Sequence, residues 1–108
     1  MRRLTFVSLA MLLVPSILHA GQVYGTVTAN RKAIANTQIE IRCGTAVTTG
    51  ATNPDGSYRI NVRQQGQCTL TLPKYAGQPS ATVFSYPKPT QYDFEIVNTN
   101  GRSQLRRR

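Results

Sequence analysis

The sequence predicts a small all-β sandwich built from seven short strands. Apolar and polar side chains alternate with a period of two along most of the chain after residue 20, and no stretch of a dozen residues there has helical periodicity. Segments rich in Gly, Pro, Asn and Asp separate the alternating runs, as expected for turns between strands. Two cysteines fall on the apolar faces of two runs, which indicates that one disulfide staples the core.

The strands are assigned from these alternating runs. They cover residues 23–27, 39–43, 47–51, 58–62, 68–72, 81–86 and 92–96. Successive side chains of a strand point to opposite faces, so the apolar residues of each run share the face that packs into the core. In the fourth run, for example, Tyr58, Ile60 and Val62 point inward. Arg59 and Arg63 face water.

Residues 48–62 contain the clearest turn in the chain, Asn53-Pro54-Asp55-Gly56. Proline presets the backbone angle for the second position of a type I turn, aspartate can hydrogen-bond its own backbone, and glycine can adopt the left-handed conformation. We therefore predict a β-hairpin here. Calcium is the alternative use of Asn53 and Asp55, but two side chains fall short of the six to eight oxygens that this ion takes. We predict no metal site.

The first twenty residues have the pattern of a secretory signal peptide. Arg2 and Arg3 precede an apolar run over residues 4–18, and Ala20 precedes the predicted cleavage site. A transmembrane anchor is the alternative, but the run is shorter than the roughly 20 residues that cross a bilayer. Gly21 stands at the position where a lipoprotein has its lipid-modified cysteine, which argues against covalent membrane anchoring. We expect a periplasmic or secreted protein with no membrane span in its mature part.

Removing residues 1–20 from the 108-residue chain leaves 88 residues, enough for one domain with a modest core. Cys43 and Cys68 both lie in this part, and an exported chain meets an oxidising compartment, so we predict a disulfide that joins two strands across or within the sandwich. A metal site or a catalytic thiol are the alternatives. Both lack partners, because the one histidine, His19, leaves with the signal peptide.

Two parts of the predicted sandwich are irregular. Four prolines flank the 81–86 run, which predicts an edge strand because proline cannot donate to a β-ladder. Residues 99–108 read as a mobile basic tail following a sandwich domain over 21–98, and Leu105 is the residue that could instead pin a short final strand to the core.

The mature part is strongly basic. Without Arg2 and Arg3, eleven of the 13 Lys and Arg residues remain against four carboxylates, which gives a net charge of +7. This favours anionic partners such as envelope phosphates or acidic glycans, and solubility is the alternative explanation. The candidate anion-binding side chains are Arg42, Arg59, Arg63, Arg106, Arg107 and Arg108. The first three would form a patch on one sheet if their strands pair, and the last three lie in the predicted tail.

Two further groups of side chains are candidates for chemistry or stacking. Asp93 and Glu95 are two apart on one strand and are the candidates for paired carboxylates, but charged strand surfaces usually have no catalytic role. We predict no catalytic residues, no cofactor and no enzyme activity. The candidates for an aromatic platform that stacks on sugar rings are Tyr24, Tyr75, Phe84, Tyr86 and Tyr92. Packing at the rim of a small core is the alternative for most of them.

The chain resembles the carboxypeptidase regulatory-like domain family over residues 21–72. The resemblance lies in the first strand at 23–27, the segment 35–41, Thr52, and the Asp-Gly-x-Tyr element of residues 55–58. It implies a seven-stranded transthyretin-like or immunoglobulin-like sandwich with Tyr58 buried behind the turn. It also implies a noncatalytic module.

From these features we expect a noncatalytic exported module that binds another envelope or extracellular macromolecule or an anionic surface. Nucleic acid is not an expected partner of an exported protein. One alternative is a structural subunit that assembles by edge-strand pairing. Another is an accessory domain protein of an exported enzyme system.

Overall fold

The computed structural model describes residues 21–108, and these form an all-β sandwich of two sheets. The predicted signal peptide lies outside the described residues. The ten strands are β1 (Gly21–Ala29), β2 (Lys32–Ala33), β3 (Gln38–Cys43), β4 (Ala46–Ala51), β5 (Ser57–Val62), β6 (Gly66–Thr71), β7 (Ser80–Ser85), β8 (Thr90–Gln91), β9 (Phe94–Thr99) and β10 (Arg102–Arg107).

One sheet has six strands and the other has four. In the six-stranded sheet, β1 pairs antiparallel with β5 and β2, and parallel with β8 and β9. Strand β10 extends this sheet by pairing with β9. The four-stranded sheet has the order β4-β3-β6-β7, so β7 is an edge strand, as the flanking prolines predict.

The predicted count of seven strands is wrong, because residues 21–108 form ten. Each of the seven predicted runs corresponds to a strand. The additions are two two-residue strands, β2 and β8, and β10. The segment predicted as a mobile tail therefore folds, since Asn100 and Gly101 both have positive φ and form a tight hairpin turn from β9 into β10. Leu105 is buried and pins β10 to the core.

The predicted hairpin at residues 48–62 is also wrong. The turn itself has the expected bonds: the Gly56 amide donates to the Asn53 carbonyl at 2.9 Å, and Gly56 has a φ of 83°. However, β4 pairs with β3 in one sheet and β5 pairs with β1 in the other. The turn thus carries the chain from one layer to the other. Thr52 anchors its start, because its amide donates to the Thr37 carbonyl at 2.9 Å.

The core lies between the sheets and consists of the side chains that the alternation places inward. Val23 and Val27 from β1 are fully buried, as are Ile39 and Ile41 from β3. Phe94 is the largest fully buried side chain, and its ring stacks against the ring of Tyr92 with centroids 6.2 Å apart. Burying rings of this size contributes much of the apolar stabilisation in so small a domain.

The predicted disulfide is present between Cys43 and Cys68. Ile41 lies opposite Leu70 in the β3–β6 ladder, and continuing that register places Cys43 directly opposite Cys68. Their Cα atoms are 4.4 Å apart, the spacing of a non-hydrogen-bonded pair in an antiparallel sheet. The bond therefore lies within the four-stranded sheet and does not cross the sandwich, whereas the sequence left both arrangements open.

Strand β1 changes partners from β8 to β9 at a point where two chain segments come very close. A Cβ atom on Gly25 would collide with the Tyr92 carbonyl, so only glycine fits. Next to it, the Asp93 carboxylate accepts hydrogen bonds from the Thr26 amide at 3.0 Å and the Thr26 hydroxyl at 3.2 Å. These bonds bridge the gap between the β8 and β9 ladders.

Tyr58 lies buried behind the turn at residues 53–56. Its side chain is 2% exposed, and its hydroxyl donates a 2.6 Å hydrogen bond to the Tyr92 carbonyl. Burial, together with the negative charge of Asp93, raises the pKa of Tyr58 well above its usual value of about 10. The phenol therefore stays neutral in the folded protein under alkaline conditions that ionise it in the unfolded chain.

Raising the pH from 9 to 11 is expected to lower the free energy of unfolding by about 1.4 kcal/mol through Tyr58 alone. The sign follows because the folded-state pKa of Tyr58 lies above the unfolded value. The phenol is protonated in both states below pH 10, so the stability is at its full value there, and it falls above pH 10 as the phenol ionises in the unfolded chain only. Urea unfolding at both pH values measures it. The free energy of unfolding of Tyr58→Phe should not show this fall between pH 9 and pH 11. Tyr86→Phe, at a half-exposed position, should show it as the original protein does. Equal pH slopes in Tyr58→Phe and the original protein would contradict the assignment.

Candidate anion-binding surface

The six arginines proposed for anion binding do not form one surface. Arg42 lies on β3 in the four-stranded sheet, whereas Arg59 on β5 and Arg63 just after it belong to the six-stranded sheet. All three side chains face outward, so the two layers of the sandwich separate Arg42 from the others. The condition that their strands pair is not met, and the structure does not bring this trio together.

Arg42 and Arg59 each have local partners. The Arg42 guanidinium lies 3.5 Å from the Glu40 carboxylate on the same strand. Arg59 lies over the Tyr24 ring, 5.1 Å from its centroid, and donates a 2.5 Å hydrogen bond to the Gln22 side-chain oxygen. Exposed contacts of this kind contribute little to stability, and each joins a guanidinium group to residues of its own sheet.

The three C-terminal arginines are held in place by β10. Arg106 pairs with Glu95 at 2.9 Å, and the Arg107 guanidinium lies over the Tyr92 ring, 4.5 Å from its centroid. The Arg108 amide donates to the Asp93 carbonyl at 2.9 Å. Strand pairing thus fixes the positions of side chains that a mobile tail would leave scattered.

Arg31, an arginine not identified from the sequence, lies beside Arg108. Arg31 and Arg108 line one shallow depression together with Thr28 and Glu95. Arg31 sits in the two-residue turn between β1 and β2, where Asn30 and Arg31 have φ values of 52° and 66°. Asn30 is a residue common in such turns, so the sequence contains a weak signal for the turn itself. It contains no signal for the pairing of β1 with β9, which brings this turn beside β10.

The resulting basic surface, which we call the β10 surface, consists of Arg31, Arg106 and Arg108, whereas Arg107 points to the opposite face of the sheet, over the Tyr92 ring. The three side chains of this surface are exposed. Thr28, Glu95 and Arg106 stand in one row across three neighbouring strands, because Glu95 lies opposite both of the others in the two ladders. One carboxylate therefore faces several guanidinium groups, and the surface carries an excess of positive charge that can attract a phosphate, sulfate or carboxylate.

The four carboxylates of the described residues all have hydrogen-bond or ion-pair partners. Glu40 and Glu95 pair with arginines, and Asp93 binds Thr26. The Asp55 carboxylate accepts bonds from the Ser57 hydroxyl at 2.6 Å and the Ser57 amide at 3.0 Å, and these bonds lower its pKa. Asp93 and Glu95, proposed as a possible catalytic pair, are thus each engaged in holding strands together.

The aromatic candidates are dispersed as well. Tyr92 is buried, Tyr24 lies under Arg59, and Tyr75 packs partly buried against the core. Phe84 and Tyr86 are the exposed pair, at 39% and 49%, and their rings stack with centroids 6.3 Å apart. The five rings therefore form no common platform.

The described residues thus form a disulfide-stapled β-sandwich with a basic strand at one edge, and the disulfide indicates an oxidising, exported environment. Among residues 21–108, no helix has both the length and the apolar character of a membrane span.

The sandwich fold is supported by similarity to a solved structure. A DUF3823 family protein from Parabacteroides merdae ATCC 43184 is similar, with a TM-score of 0.56 and 18% identity, over 76% of this chain. The match covers 50% of that protein, so the chain spans about half of its length. A 9R-lipoxygenase from Cyanothece PCC8801 gives a TM-score of 0.47 and 11% identity over 82% of this chain and 18% of that one. The chain matches no protein-family model and no curated protein.

Proposed function

We propose that this protein is a noncatalytic exported module that binds an anionic polymer of the cell envelope or extracellular space through the β10 surface. The observation that carries the proposal is the grouping of Arg31 with Arg106 and Arg108 around one carboxylate, Glu95. Guanidinium groups at fixed positions suit the repeated phosphate, sulfate or carboxylate groups of such a polymer.

The charge balance of the whole module supports the same function. Residues 21–108 have eleven basic side chains against four acidic ones, and only Glu40 and Glu95 form ion pairs with arginines in this structure. The positive field of the module therefore attracts polyanions, and we expect them to bind at the β10 surface. Phosphate-rich lipopolysaccharide and acidic glycans have this chemistry and are accessible to a periplasmic or secreted protein.

The resemblance to the carboxypeptidase regulatory-like family belongs to the same proposal. Its support is the position of Tyr58, which lies buried behind the Asp55-Gly56 turn as the resemblance implies. Members of that family are usually noncatalytic modules. The engagement of Asp93 and Glu95 in strand contacts agrees with a role in binding.

Binding to a heparin column and to lipopolysaccharide vesicles tests the β10 surface. The triple variant Arg31→Gln, Arg106→Gln, Arg108→Gln is expected to bind about tenfold more weakly at 0.1 M salt, because three exposed charge contacts contribute roughly 0.5 kcal/mol each. Retention of the original protein should fall steeply towards 0.5 M salt, where the screening length is roughly 4 Å.

The matched control is the triple variant Arg42→Gln, Arg59→Gln, Arg63→Gln, which removes the same charge from other surfaces. It should bind within about twofold of the original protein if the β10 surface is the site. Equal weakening in both triple variants would mean that net charge alone drives retention, and the proposed site would be abandoned. Unfolding midpoints of both variants check that the fold is intact.

A further inference from the structure

Strand β4 has an open edge. In the β3–β4 hairpin, Cys43 and Ala46 flank a two-residue loop and form the first hydrogen-bonded pair. The backbone groups of even-numbered β4 residues therefore bond to β3, which agrees with the Thr52 amide donating to the Thr37 carbonyl. The amides and carbonyls of Val47, Thr49 and Ala51 point the other way, and in residues 21–108 β4 pairs with no strand besides β3.

The β4 edge also lacks the devices that guard the other edges. The strand reads AVTTGA, with no charge and no proline. By contrast, β10 carries three arginines and β5 carries Arg59. On β7, the Phe84 amide that faces outward is capped by the Tyr92 hydroxyl at 2.9 Å, and prolines flank the strand. An unguarded strand of six residues is a template for another strand.

Burial along β4 points to the same conclusion. In β3 and in β5, all three inward-facing side chains are buried. In β4, the three residues on the equivalent face, Ala46, Thr48 and Gly50, stay half-buried. This side of the core is covered less completely than the rest, and a further strand beside β4 would extend the sheet over it.

We infer that β4 pairs antiparallel with β4 of a second copy of this chain, centred on Thr49. In this register Thr49 lies opposite Thr49 of the second copy, and Val47 lies opposite Ala51 of the second copy. All outward-pointing backbone groups of these residues then find partners, because the paired positions are all odd-numbered. The two four-stranded sheets become one continuous eight-stranded sheet across the dimer.

A second copy suits this edge because the edge is self-complementary. The side chains that meet on the outer face are valine, alanine and threonine, which pair well across strands and carry no charge. Residues 21–108 have a net charge of +7, so two copies repel one another and associate best through a neutral surface. The nearest charges, Glu40 and Arg42, neutralise each other at 3.5 Å. Across the seam, the two Glu40 residues lie three strand spacings or about 14 Å apart, beyond the screening length of about 8 Å.

Sedimentation of the purified protein over a wide concentration range tests the inference. The original protein should dimerise reversibly, and Thr49→Pro should raise the dissociation constant at least about tenfold, because proline removes both central hydrogen bonds. Thr82→Pro is the matched control, since the Thr82 amide also faces the outer edge of its strand, β7, without a place in the proposed seam. This control should dimerise like the original protein.

A charge exchange at the same position tests the register without a backbone change. Thr49→Lys and Thr49→Glu should each dimerise about fivefold more weakly when alone, because like charges meet at the centre of the seam. A one-to-one mixture should recover dimers. A protein that stays monomeric at millimolar concentration, equal weakening by Thr49→Pro and Thr82→Pro, or no recovery in the mixture would each overturn the inference. Sedimentation is measured without any polyanion, so its outcome does not bear on the proposed function, which the heparin and lipopolysaccharide experiments test separately.

Discussion

Replacing Cys43 and Cys68 together with alanine is expected to lower the free energy of unfolding by about 3 kcal/mol. The bond closes a loop with a sequence separation of 25, and opening it restores conformational entropy to the unfolded chain. Both sulfur atoms are also buried in the core, so the variant loses apolar contacts. In a domain whose total stability lies in the range of about 5–15 kcal/mol, this is a large fraction. Urea unfolding at pH 7 measures it.

Reduction provides the control for this prediction. The original protein in excess dithiothreitol should unfold close to the midpoint of the double alanine variant, whereas the variant itself should not respond to dithiothreitol. A variant as stable as the oxidised protein would show that the bond is dispensable. The reduced protein keeps both sulfur atoms, so a difference between its midpoint and that of the double alanine variant measures the packing contribution alone.

Phe94→Ala is expected to cost about 4 kcal/mol, because deleting a buried ring loses its transfer free energy and leaves a cavity. The ring is 1% exposed and stacks on Tyr92, and Phe94 pairs with Val27 on one side and Arg107 on the other. The cavity therefore lies where three strands meet. The loss of stability should appear in thermal and urea unfolding as a lower midpoint with an unchanged denaturant slope.

Phe84→Ala is the matched control, because it removes the same ring from a position that is 39% exposed. Its cost should stay below about 1 kcal/mol. If Phe94→Ala does not fold, Phe94→Leu gives the milder test and should lie between the two. Similar losses from Phe84→Ala and Phe94→Ala would mean that β9 does not belong to the core as described.

The sequence was sufficient to predict the parts of the fold that depend on local alternation. Ile39, Ile41 and Cys43 share a face because neighbours on a strand alternate, whatever that strand pairs with. The same reasoning placed both cysteines inward and led to the disulfide. It did not indicate that Cys43 and Cys68 lie in one sheet, because the order of strands depends on contacts between residues far apart in sequence.

The failure at residues 48–62 has the same cause. Asn53, Pro54, Asp55 and Gly56 favour a type I turn whether the flanking strands pair with one another or with other partners. In this protein β3 and β1 are the better partners of β4 and β5, and these pairings are invisible to local turn chemistry. The interpretation of Arg42 and Arg59 as neighbours depended on strand pairing and failed for this reason.

The final strand was predictable in part. Asn100-Gly101 between two runs is a strong signal for a tight hairpin, but the run after it has one apolar residue, Leu105, among arginines. That composition is typical of a tail. Strand β10 is stabilised by its ladder with β9, in which Arg102 to Arg107 all have a partner. An alternating apolar pattern, the signal used for the other strands, is absent from this run. The position of Arg31 depends on β1–β9 pairing and followed from no local pattern.

The location of the disulfide determines how the two layers of this protein adhere. Since Cys43 and Cys68 lie on neighbouring strands of one sheet, the cystine reinforces that sheet and forms no covalent strap to the opposite one. Apart from the loops and the hydrogen bond from the Phe84 amide to the Tyr92 hydroxyl, cohesion between the layers rests on interdigitated apolar side chains. A force that pulls the two sheets of one molecule apart should therefore separate them at much the same load in oxidised and reduced protein. A force that shears β3 from β6 should instead load the disulfide, which only a reductant can open.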